Sequence, residues 1–468
     1  MHLLKDVLSL INIKSDIKIE VKGITNDSRK VKEGYIFYAT NGNHHKVNEF
    51  IKDAFKNGAI AIINEEIEDE FIYKIPNLKD KLSMIAKYIY DLDFSSFNCY
   101  GFTGTNGKTT TTSLIYKVLR NKGYDVTLIG TNGVYFNDDH YELNNTTPSL
   151  LELYSIFYES KKRNIKNIIM EVSSHAIELK RIEGIRFDII GFTNISHDHL
   201  DFHKTIENYA NAKYKLTNYL KKDGLIIYNI DDKCIKNFDF SNYRKLSFGI
   251  YDGDFKIENI RLSIDGSTFF IDNKQITSSL TCMFNVYNLS MAYLTLINMK
   301  IKPNDVIKSI KQIKSIDGRM QNININNRYI YIDFAHSPDS IEKVISFIKP
   351  LAKKKIIVVF GAGGDRDKTK RPKMLDVCLK YADKVYVTSD NPRYENPNDI
   401  IKDVIRNKMS YKVNKYLSRE DAIKDAIKYS NEFDTILLLG KGNETYQIIN
   451  DIKIPYSDIE VVESCISN

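Results

Sequence analysis

Apolar and polar residues alternate over short segments in roughly the first 97 residues. The segments IKIEVKGIT and GYIFYAT have the period of two that is typical of half-buried strands, and NEFIKDAFKNGA has the spacing of an amphipathic helix. The polar stretches NDSRKVKEG and NGNHHKVN separate them. This pattern predicts a small mixed domain over residues 1–97.

From Phe97 onward, apolar strands alternate with amphipathic helices. FNCYGFTGTNGKTTTTSLIYKVLRNKG predicts a strand, a glycine loop and a helix, and DVTLIG, NIIMEV and FDIIGFTNI predict further strands. Such strands form mostly parallel sheets with helices on both faces. Residues 254–272 predict antiparallel strands, and FNVYNLSMAYLTLINM begins another helix. We expect a second domain over residues 98–315.

After a joint near residues 316–319 the strand and helix alternation begins again. RYIYIDFAH, KIIVVFGAGGDRD, DKVYVTSDNPR and DTILLLGKGNE are apolar strands that end in polar or glycine residues. Ligands of open α/β sheets bind outside the carboxyl ends of the strands. The sequence therefore predicts an α/β fold with a third domain over residues 316–468 and a binding site at these ends.

Composition narrows the class of protein. A chain of 468 residues exceeds what one core usually supports, and no apolar run reaches the roughly 18 residues of a membrane span. The N-terminus lacks a signal-peptide pattern, so we expect a cytoplasmic protein without membrane insertion. The 67 basic and 60 acidic residues are dispersed, which does not favour nucleic acid as a partner.

The five cysteines are scattered and form no CxxC pair, which predicts neither a disulfide framework nor a zinc site. We expect them to lie in the interior as small apolar side chains. They are Cys99, Cys234, Cys282, Cys378 and Cys465.

The segment GTNGKTT, residues 104–110, follows a predicted strand and opens a predicted helix. Backbone amides and a cation at a helix N-terminus suit a phosphate group. Lys108 can reach the β- and γ-phosphates of a nucleotide, and Thr109 can offer its hydroxyl to Mg²⁺. The common GxxxxGK[ST] form would need glycine in place of Phe102. The alternative is a plain glycine turn. The Lys-Thr pair directly after the last glycine disfavours this alternative.

Acidic residues and histidines follow two later strands. Glu171 ends an apolar strand, where an acid commonly holds Mg²⁺ near a phosphate loop, although a structural role is as compatible with a solitary glutamate. No HExxH pattern is present, so Mg²⁺ is favoured over zinc. The segment FTNISHDHLDFH contains His197, Asp198, His199, Asp201 and His203.

Ten motifs occur together along the chain, and their order and spacing resemble those of the Mur ligases from about Asn26 to Gln447. This resemblance implies a three-domain Mur ligase architecture: a UDP-substrate-binding N-terminal domain (1–97), a central P-loop parallel-sheet ATPase domain (98–315) and a C-terminal Rossmann-like amino-acid-binding domain (316–468). The motifs are GTNGKTT, NTTP, EVSSH, FTNISHDHLDFH, YANAK, DGRM, DFAHSPDS, GAGGDRDKTKRP, SDNPR and GKGNETYQ.

The resemblance also implies an ATP-dependent amide ligase of peptidoglycan precursor synthesis, acting as a monomer. Its partners would be ATP, UDP-N-acetylmuramoyl-L-alanyl-D-glutamate and a diamino acid. ATP phosphorylates the D-glutamate carboxylate, the incoming amine attacks the acyl phosphate, and phosphate leaves. Mg²⁺ and cationic side chains stabilise the charge that develops on the transferred groups.

Catalytic and nucleotide-binding residues follow from the motifs. Lys108, Glu171, His199 and Lys213 match catalytic positions, and Thr109, Glu171, His199 and Lys213 match metal ligands. Lys213 corresponds to a lysine that CO₂ converts to a carbamate, an anionic oxygen ligand; the residue alone would predict a solvated helix lysine. The ATP-binding set is Gly104, Thr105, Asn106, Gly107, Lys108, Thr109, Thr110, Asn288, Arg319 and Asp333. Without the resemblance, Asn288 would be interpreted as a helix cap.

Substrate-binding residues are implied in the same way. For the UDP-substrate they are Asn26, Ser28, Asn43, His44, His45, Asn145, Thr146, Thr147, Ser173 and Arg181. For the amino acid they are Arg366, Asp390, Asn391, Pro392, Arg393, Gly440 and Glu444. The chain departs from the family pattern in NGNHHKVNEF, which lacks the usual Asp-Gly-His, and at Asn443, which replaces a histidine.

The DNPR sequence favours meso-diaminopimelate over lysine as the amino acid. Diaminopimelate has an additional carboxylate, which a guanidinium such as that of Arg393 can bind through two parallel hydrogen bonds. L-lysine or another diamino acid remains an alternative. Two other classes of protein are also alternatives. One is folylpolyglutamate synthase, which would need neither SDNPR nor the TNDSR segment, and the other is a catalytically silent relative that binds the UDP-sugar peptide.

Overall fold

The computed structural model describes residues 2–40, 44–143, 145–196, 198, 200–406 and 410–465, without the side chains of residues 44–46, 200 and 201. The chain forms two compact units, Met1–Asp254 and Phe255–Asn468. No helix in the described ranges is long and apolar enough to cross a lipid bilayer.

The first unit begins with a small parallel sheet in the order β3-β4-β5-β6. A short antiparallel pair, β1 with β2, precedes it. The strands are β1 (His2–Leu3), β2 (Glu20–Val21), β3 (Gly23–Thr25), β4 (Tyr35–Tyr38), β5 (Ala59–Asn64) and β6 (Ile72–Lys74), and the helices are α1 (Leu4–Ser9), α2 (His44–Lys56) and α3 (Leu78–Ile89).

A larger sheet follows in the first unit, in the order β10-β9-β8-β11-β7-β12-β13-β14. The strands from β8 to β14 in this order run parallel, and β9 and β10 add an antiparallel edge. The strands are β7 (Asn98–Thr103), β8 (Val126–Gly130), β9 (Gly133–Phe136), β10 (Asp139–Tyr141), β11 (Asn167–Glu171), β12 (Phe187–Phe192), β13 (Leu220–Asn229) and β14 (Arg244–Gly249). The helices are α4 (Lys108–Asn121), α5 (Leu150–Lys162), α6 (Ser174–Glu178), α7 (Leu200–His203) and α8 (Ile206–Tyr214).

The register of this sheet brings three strand ends together. Glu171 of β11 pairs with Phe102 of β7, and Phe192 of β12 pairs with Thr103 of β7. The loops that leave β7, β11 and β12 therefore start side by side, at the edge where α/β proteins bind ligands.

One hydrophobic core joins the two sheets of the first unit. Buried Ile36 from the small sheet belongs to the same cluster as Phe157 and Phe187 of the larger one. Phe94 lies between them and contacts Phe157 edge to face, with ring centroids 5.1 Å apart. Residues on both sides of position 97 thus bury their apolar surface together. The division at 97 stays a prediction.

The second unit contains a three-stranded antiparallel sheet, β16-β17-β18, and a six-stranded sheet in the order β19-β20-β24-β21-β22-β23. In the six-stranded sheet only β19 is antiparallel to its neighbour. The strands are β15 (Phe255–Lys256), β16 (Glu258–Ser263), β17 (Gly266–Ile271), β18 (Lys274–Ser278), β19 (Gln321–Ile325), β20 (Arg328–Asp333), β21 (Ile356–Ala362), β22 (Lys384–Ser389), β23 (Val413–Lys415), β24 (Thr435–Leu439), β25 (Tyr446–Ile449) and β26 (Ile452–Pro455). The helices are α9 (Met283–Asn298), α10 (Pro303–Gln312), α11 (Pro338–Ile348), α12 (Arg371–Tyr381), α13 (Pro397–Ile405), α14 (Arg419–Tyr429) and α15 (Asp458–Ser464).

Four strands of the six-stranded sheet also end at a common edge. Leu439 of β24 pairs with Asp333 of β20 and with Phe360 of β21, and Ser389 of β22 pairs with Ala362 of β21. The predicted α/β alternation and parallel sheets are confirmed in both units.

Predictions from the residues alone are wrong at two cysteines and at Asn288. Cys99, Cys282 and Cys378 are buried as expected, but Cys234 and Cys465 are only partly buried. Asn288 does not cap a helix, because α9 begins five residues earlier, at Met283, and the asparagine is buried within it.

Candidate active site

The loop from Gly104 to Gly107 connects β7 to α4 and depends on its glycines. Gly107 has a φ of 87° directly before the helix. Gly104 has a φ of 154°, and a Cβ there would lie 1.9 Å from Oγ1 of Thr193. Only glycine permits this backbone and this close approach, so the loop packs directly against the residues that follow β12.

The end of β12 supports the same loop. The amide of Asn106 donates to Oδ1 of Asn194 over 3.0 Å, and Oγ1 of Thr193 donates to the Asn106 carbonyl over 2.7 Å. The amide of Ser196 donates to Oγ1 of Thr105 over 2.9 Å. The FTNIS residues, which begin the predicted motif FTNISHDHLDFH, thus shape the loop from Gly104 to Gly107.

Lys108 is the first residue of α4, and its side chain lies over the loop. Its Nζ donates to the carbonyls of Gly104 and Thr105 over 2.8 and 2.9 Å. The next residues of the helix, Thr109 to Thr112, are buried. Threonine has low helix propensity, so tertiary packing stabilises this helix start.

Glu171 is buried at the end of β11 and accepts three hydrogen bonds. Oγ1 of Thr109 donates to its Oε2 over 2.9 Å. Thr131 donates from its amide to Oε1 over 2.8 Å and from Oγ1 to Oε2 over 3.2 Å. The two predicted residues Thr109 and Glu171 therefore contact each other. Thr131 also contacts Glu171, and the sequence pattern did not predict it. Its position directly after β8, at a strand end, is the signal that could have found it.

Lys213 of α8 is buried, contrary to what the residue alone would predict. Its Nζ donates to the Gly104 carbonyl over 2.9 Å and lies 4.4 Å from the ring centroid of Tyr209. Burial lowers the pKa of Lys213 well below its usual value, and the nearby Lys108 cation lowers this pKa further. Both effects shift Lys213 toward the uncharged amine beside the loop from Gly104 to Gly107.

A chain of hydroxyl groups leads away from Glu171. Thr131 Oγ1 lies 3.0 Å from Oγ1 of Thr146. Thr147 donates from Oγ1 to the Glu171 carbonyl over 2.9 Å and accepts from the amide of Ser173 over 3.0 Å. The Thr147 carbonyl accepts from Arg181 over 2.9 Å, and burial lowers the pKa of that arginine. Four residues predicted to bind the UDP-substrate thus form one connected group.

Other predicted residues of this substrate site are only partly described. Ser28 is buried at the start of a short turn that Asp27 caps, and its carbonyl accepts from Nδ2 of Asn57 over 3.0 Å. Asn26 precedes this turn, and Asn145 precedes the threonine pair. Asn43, His199 and the side chains of His44 and His45 lie outside the described residues.

In the second unit, Asp333 ends β20 and is buried. Its Oδ2 accepts from the amide of Met320 and its Oδ1 from that of Ala335, both over 2.8 Å. Burial raises the pKa of Asp333, and the Arg319 cation partly opposes this rise. Arg319 stacks on the ring of Phe334 with 4.7 Å to the centroid. Asn288 donates to Oδ1 of Asn285 over 3.1 Å inside α9.

Two arginines predicted to bind the amino acid converge beside Gly363. A Cβ at Gly363 would lie 3.2 Å from an Nη atom of Arg393 and 3.6 Å from Cγ of Arg366. Burial lowers the pKa of Arg393, and the Arg366 cation lowers it further. Arg393 also donates to the Gly364 carbonyl over 2.9 Å. Two cations at one place create a strong site for an anion.

A buried ion pair supports the loop that carries Arg366. Arg371 is 1% exposed and donates to both oxygens of Glu395, at 2.8 and 3.0 Å, and to the Gly363 carbonyl over 3.1 Å. Glu395 in turn accepts from the amide of Asp365 over 2.6 Å. Sequence reasoning missed this pair, since its members are 24 residues apart in the chain.

The residues Asp390, Asn391 and Glu444 lie together at the ends of β22 and β24. Asn391 donates from Nδ2 to Oε2 of Glu444 over 2.9 Å. Gly440 has a φ of 111°, and a Cβ there would lie 3.0 Å from Oδ2 of Asp390. The backbone of Pro392 packs closely against Gly364, because a Cβ at Gly364 would lie 1.8 Å from the Pro392 carbonyl oxygen. The structure thus assembles the predicted amino-acid-binding residues at the carboxyl edge of the sheet.

Comparisons with known proteins identify the family. The Mur ligase middle domain matches residues 102–296, and the Mur ligase glutamate ligase domain matches residues 318–442. UDP-N-acetylmuramoyl-L-alanyl-D-glutamate–2,6-diaminopimelate ligase 1 of Clostridium acetobutylicum is 35% identical over 97% of this chain and 96% of its own. UDP-N-acetylmuramyl-tripeptide synthetase 2 of Oceanobacillus iheyensis is 34% identical over 98% of both chains.

Solved structures agree with this assignment. A structure of UDP-N-acetylmuramoyl-L-alanyl-D-glutamate–2,6-diaminopimelate ligase superimposes with a TM-score of 0.68 at 29% identity and 98% coverage of both chains. MurF ligase from Thermotoga maritima in complex with ADP has a TM-score of 0.66 at 20% identity, over 90% of this chain and 94% of its own, and shares the fold. The motifs, the architecture and these similarities together show that the chain belongs to the Mur ligase family.

Proposed function

We propose that this chain adds meso-diaminopimelate to the D-glutamate of UDP-N-acetylmuramoyl-L-alanyl-D-glutamate and converts ATP to ADP and phosphate. Relatives named for this reaction are 35% identical over nearly the whole chain. The observation that carries the proposal is the group of side chains at the loop from Gly104 to Gly107. Lys213 donates to the Gly104 carbonyl, and Thr109, at the start of α4, donates to the buried carboxylate of Glu171.

The reaction proceeds in two transfers. An oxygen of the D-glutamate carboxylate attacks the γ-phosphorus of ATP, ADP leaves, and an acyl phosphate forms. The amine of diaminopimelate then attacks the acyl carbon and loses a proton, and the tetrahedral intermediate collapses to an amide as phosphate leaves with the C–O bond electrons. Phosphate is a competent leaving group, whereas oxide is not. Lys108 and the loop amides stabilise the charge on the phosphoryl oxygens.

The residues around the loop fit a hard divalent cation, and Mg²⁺ bound there would neutralise phosphoryl charge. Thr109, Glu171, His199 and a carbamate on Lys213 would hold it. The buried Lys213 amine supports the carbamate, because burial and Lys108 lower its pKa toward the uncharged form that attacks CO₂, and the carbamate would supply an oxygen ligand.

The substrates would occupy three groups of residues. ATP would bind Gly104, Thr105, Asn106, Gly107, Lys108, Thr109 and Thr110, with Asn288, Arg319 and Asp333 toward adenine and ribose. The UDP-substrate would bind Asn26, Ser28, Asn43, His44, His45, Asn145, Thr146, Thr147, Ser173 and Arg181. The division into domains 1–97, 98–315 and 316–468, a monomeric state and a cytoplasmic location belong to the same proposal.

Diaminopimelate would bind at Arg366, Asp390, Asn391, Pro392, Arg393, Gly440 and Glu444. Arg366 and Arg393 converge at Gly363, and their charges suit the distal carboxylate that lysine lacks. Glu444 and the carbonyl of Gly440 suit the distal ammonium. L-lysine or another diamino acid is the second candidate, since the name of the Oceanobacillus iheyensis relative leaves the third residue open.

The test is ADP release by purified protein with UDP-N-acetylmuramoyl-L-alanyl-D-glutamate and meso-diaminopimelate, lysine or ornithine. We expect turnover that requires the dipeptide and is fastest with meso-diaminopimelate. With ¹⁸O in the D-glutamate carboxylate, one label should appear in the released phosphate. Fastest turnover with lysine would move the proposal to the second candidate, and binding of the UDP-substrate without turnover would indicate a catalytically silent relative.

A further inference from the structure

Lys441 is a fully buried cation in the loop that follows β24. Its exposed fraction is 0%, and its Nζ donates to Oε2 of Glu444 over 2.7 Å and to Oδ1 of Asn391 over 3.0 Å. Oδ1 of Asp390 lies at 3.4 Å. A buried ammonium is stable only when several acceptors surround it. Here these acceptors are all residues of the proposed amino-acid site, although the motifs gave Lys441 itself no role.

The ammonium holds Glu444 by one oxygen. Oε2 accepts from both Lys441 and Asn391, while no partner of Oε1 is found in the described part of the chain. The Glu444 side chain is 23% exposed, so it reaches the surface of the site. One carboxylate oxygen is thus anchored inside the protein, and the other is available to a ligand.

Lys441 also lies between two acidic side chains of the site. Asp390 and Glu444 both contact it, and two close carboxylates without a cation would repel one another. Lys441 offsets this repulsion and so allows both carboxylates to lie in one place.

We propose that Lys441 is a positioning residue for selection of the substrate's distal ammonium: it fixes Glu444 so that Oε1 accepts from that group. This inference rests on the proposed function and names the residue that sets specificity at that site. Asn391 contributes to the same geometry, because its Oδ1 accepts both from Lys441 and from the amide of Ile448, at 3.0 Å each.

The test compares meso-diaminopimelate with 2-aminopimelate, which keeps both carboxylates and the α-amine but lacks the distal amine. In the unmodified protein we expect kcat/KM to favour meso-diaminopimelate. Lys441→Met should reduce this preference about tenfold or more, mainly through KM for meso-diaminopimelate, because a charge-assisted hydrogen bond is lost. KM for ATP should stay unchanged. Lys424→Met, which removes an exposed lysine of the same unit, is the control and should leave the preference intact.

Glu444→Gln keeps the inference testable if Lys441→Met does not fold. This variant should show the same loss of preference, and adding Lys441→Met to it should reduce the preference little further, because both changes act through one carboxylate. An unchanged preference in Glu444→Gln, or equal losses for both substrates in a folded Lys441→Met, would overturn the inference. Failure of the unmodified protein to use meso-diaminopimelate would instead reject the proposed function.

Discussion

Lys213 donates a hydrogen bond from Nζ to the Gly104 carbonyl over 2.9 Å, across 109 residues of sequence. The contact places a buried amine against the first glycine of the phosphate loop. Burial and the Lys108 cation both lower the pKa of this amine well below its usual value. This shift is toward the uncharged amine, which is the form that reacts with CO₂.

Replacement of Lys213 by alanine should lower the ligation rate by about 10²–10³-fold, because an anionic group near the transferred phosphoryl is lost. Formate or acetate should restore part of the rate by occupying the vacated position. The measurement is steady-state ADP release with and without these acids. Lys215→Ala removes an exposed lysine that pairs with Glu178 and serves as the control. Full activity of Lys213→Ala without added acid would contradict the carbamate.

Thr131→Val should weaken metal binding, since Thr131 donates one hydrogen bond from its hydroxyl to Glu171. The loss should be about 1 kcal/mol, or roughly fivefold in affinity. Electron paramagnetic resonance of bound Mn²⁺ measures it directly, and the Mg²⁺ dependence of ADP release should shift in the same direction. Thr127→Val, on the strand that precedes Thr131, loses only the side-chain bond to Ser160 and should leave metal affinity unchanged. Equal metal affinity in Thr131→Val and the unmodified protein would show that Thr131 does not contribute to metal binding.

Arg393→Ala should reduce kcat/KM for meso-diaminopimelate by about 10²-fold or more, because a charge-assisted, bidentate interaction with the distal carboxylate is lost. The small activity with lysine should change far less. Parallel ADP-release assays with the two amino acids give both ratios. Arg261→Ala, at an exposed position of β16, is the matched control. Equal losses with both amino acids would show that Arg393 only stabilises the loop.

Glu395→Gln should destabilise the second unit in a pH-dependent way. The Arg371 guanidinium lowers the pKa of Glu395 from 4.5 to about 2. A carboxyl with a lowered folded-state pKa adds stability above pH 4.5 and loses it as the pH falls toward 2. At pH 7 we expect a loss of about 2 kcal/mol in the free energy of unfolding, measured by urea titration.

At pH 3 the difference in the free energy of unfolding between Glu395→Gln and the unmodified protein should be smaller than at pH 7. Glu420→Gln, which removes an exposed partner of Lys424, should show little effect at either pH. A difference that does not depend on pH would show that the Glu395 charge contributes nothing.

The local pattern of the chain was sufficient to predict the strands and helices around the candidate site. The strand before GTNGKTT, the helix after it and the position of Glu171 at the end of β11 all follow from apolar periodicity and glycine placement. These features are local, since strand and helix periods and turn residues act over a few positions. Ordered motifs likewise predicted the family and the α/β architecture.

Only the tertiary structure decided which polar groups are buried together. It placed Lys213 in the interior, paired Thr131 with Glu171, and surrounded Lys441 with side chains up to 51 residues away in sequence. It also joined the first 97 residues to the following sheet through one hydrophobic core. Burial and desolvation depend on which residues pack around a side chain after folding, and a short-range sequence pattern does not determine those neighbours.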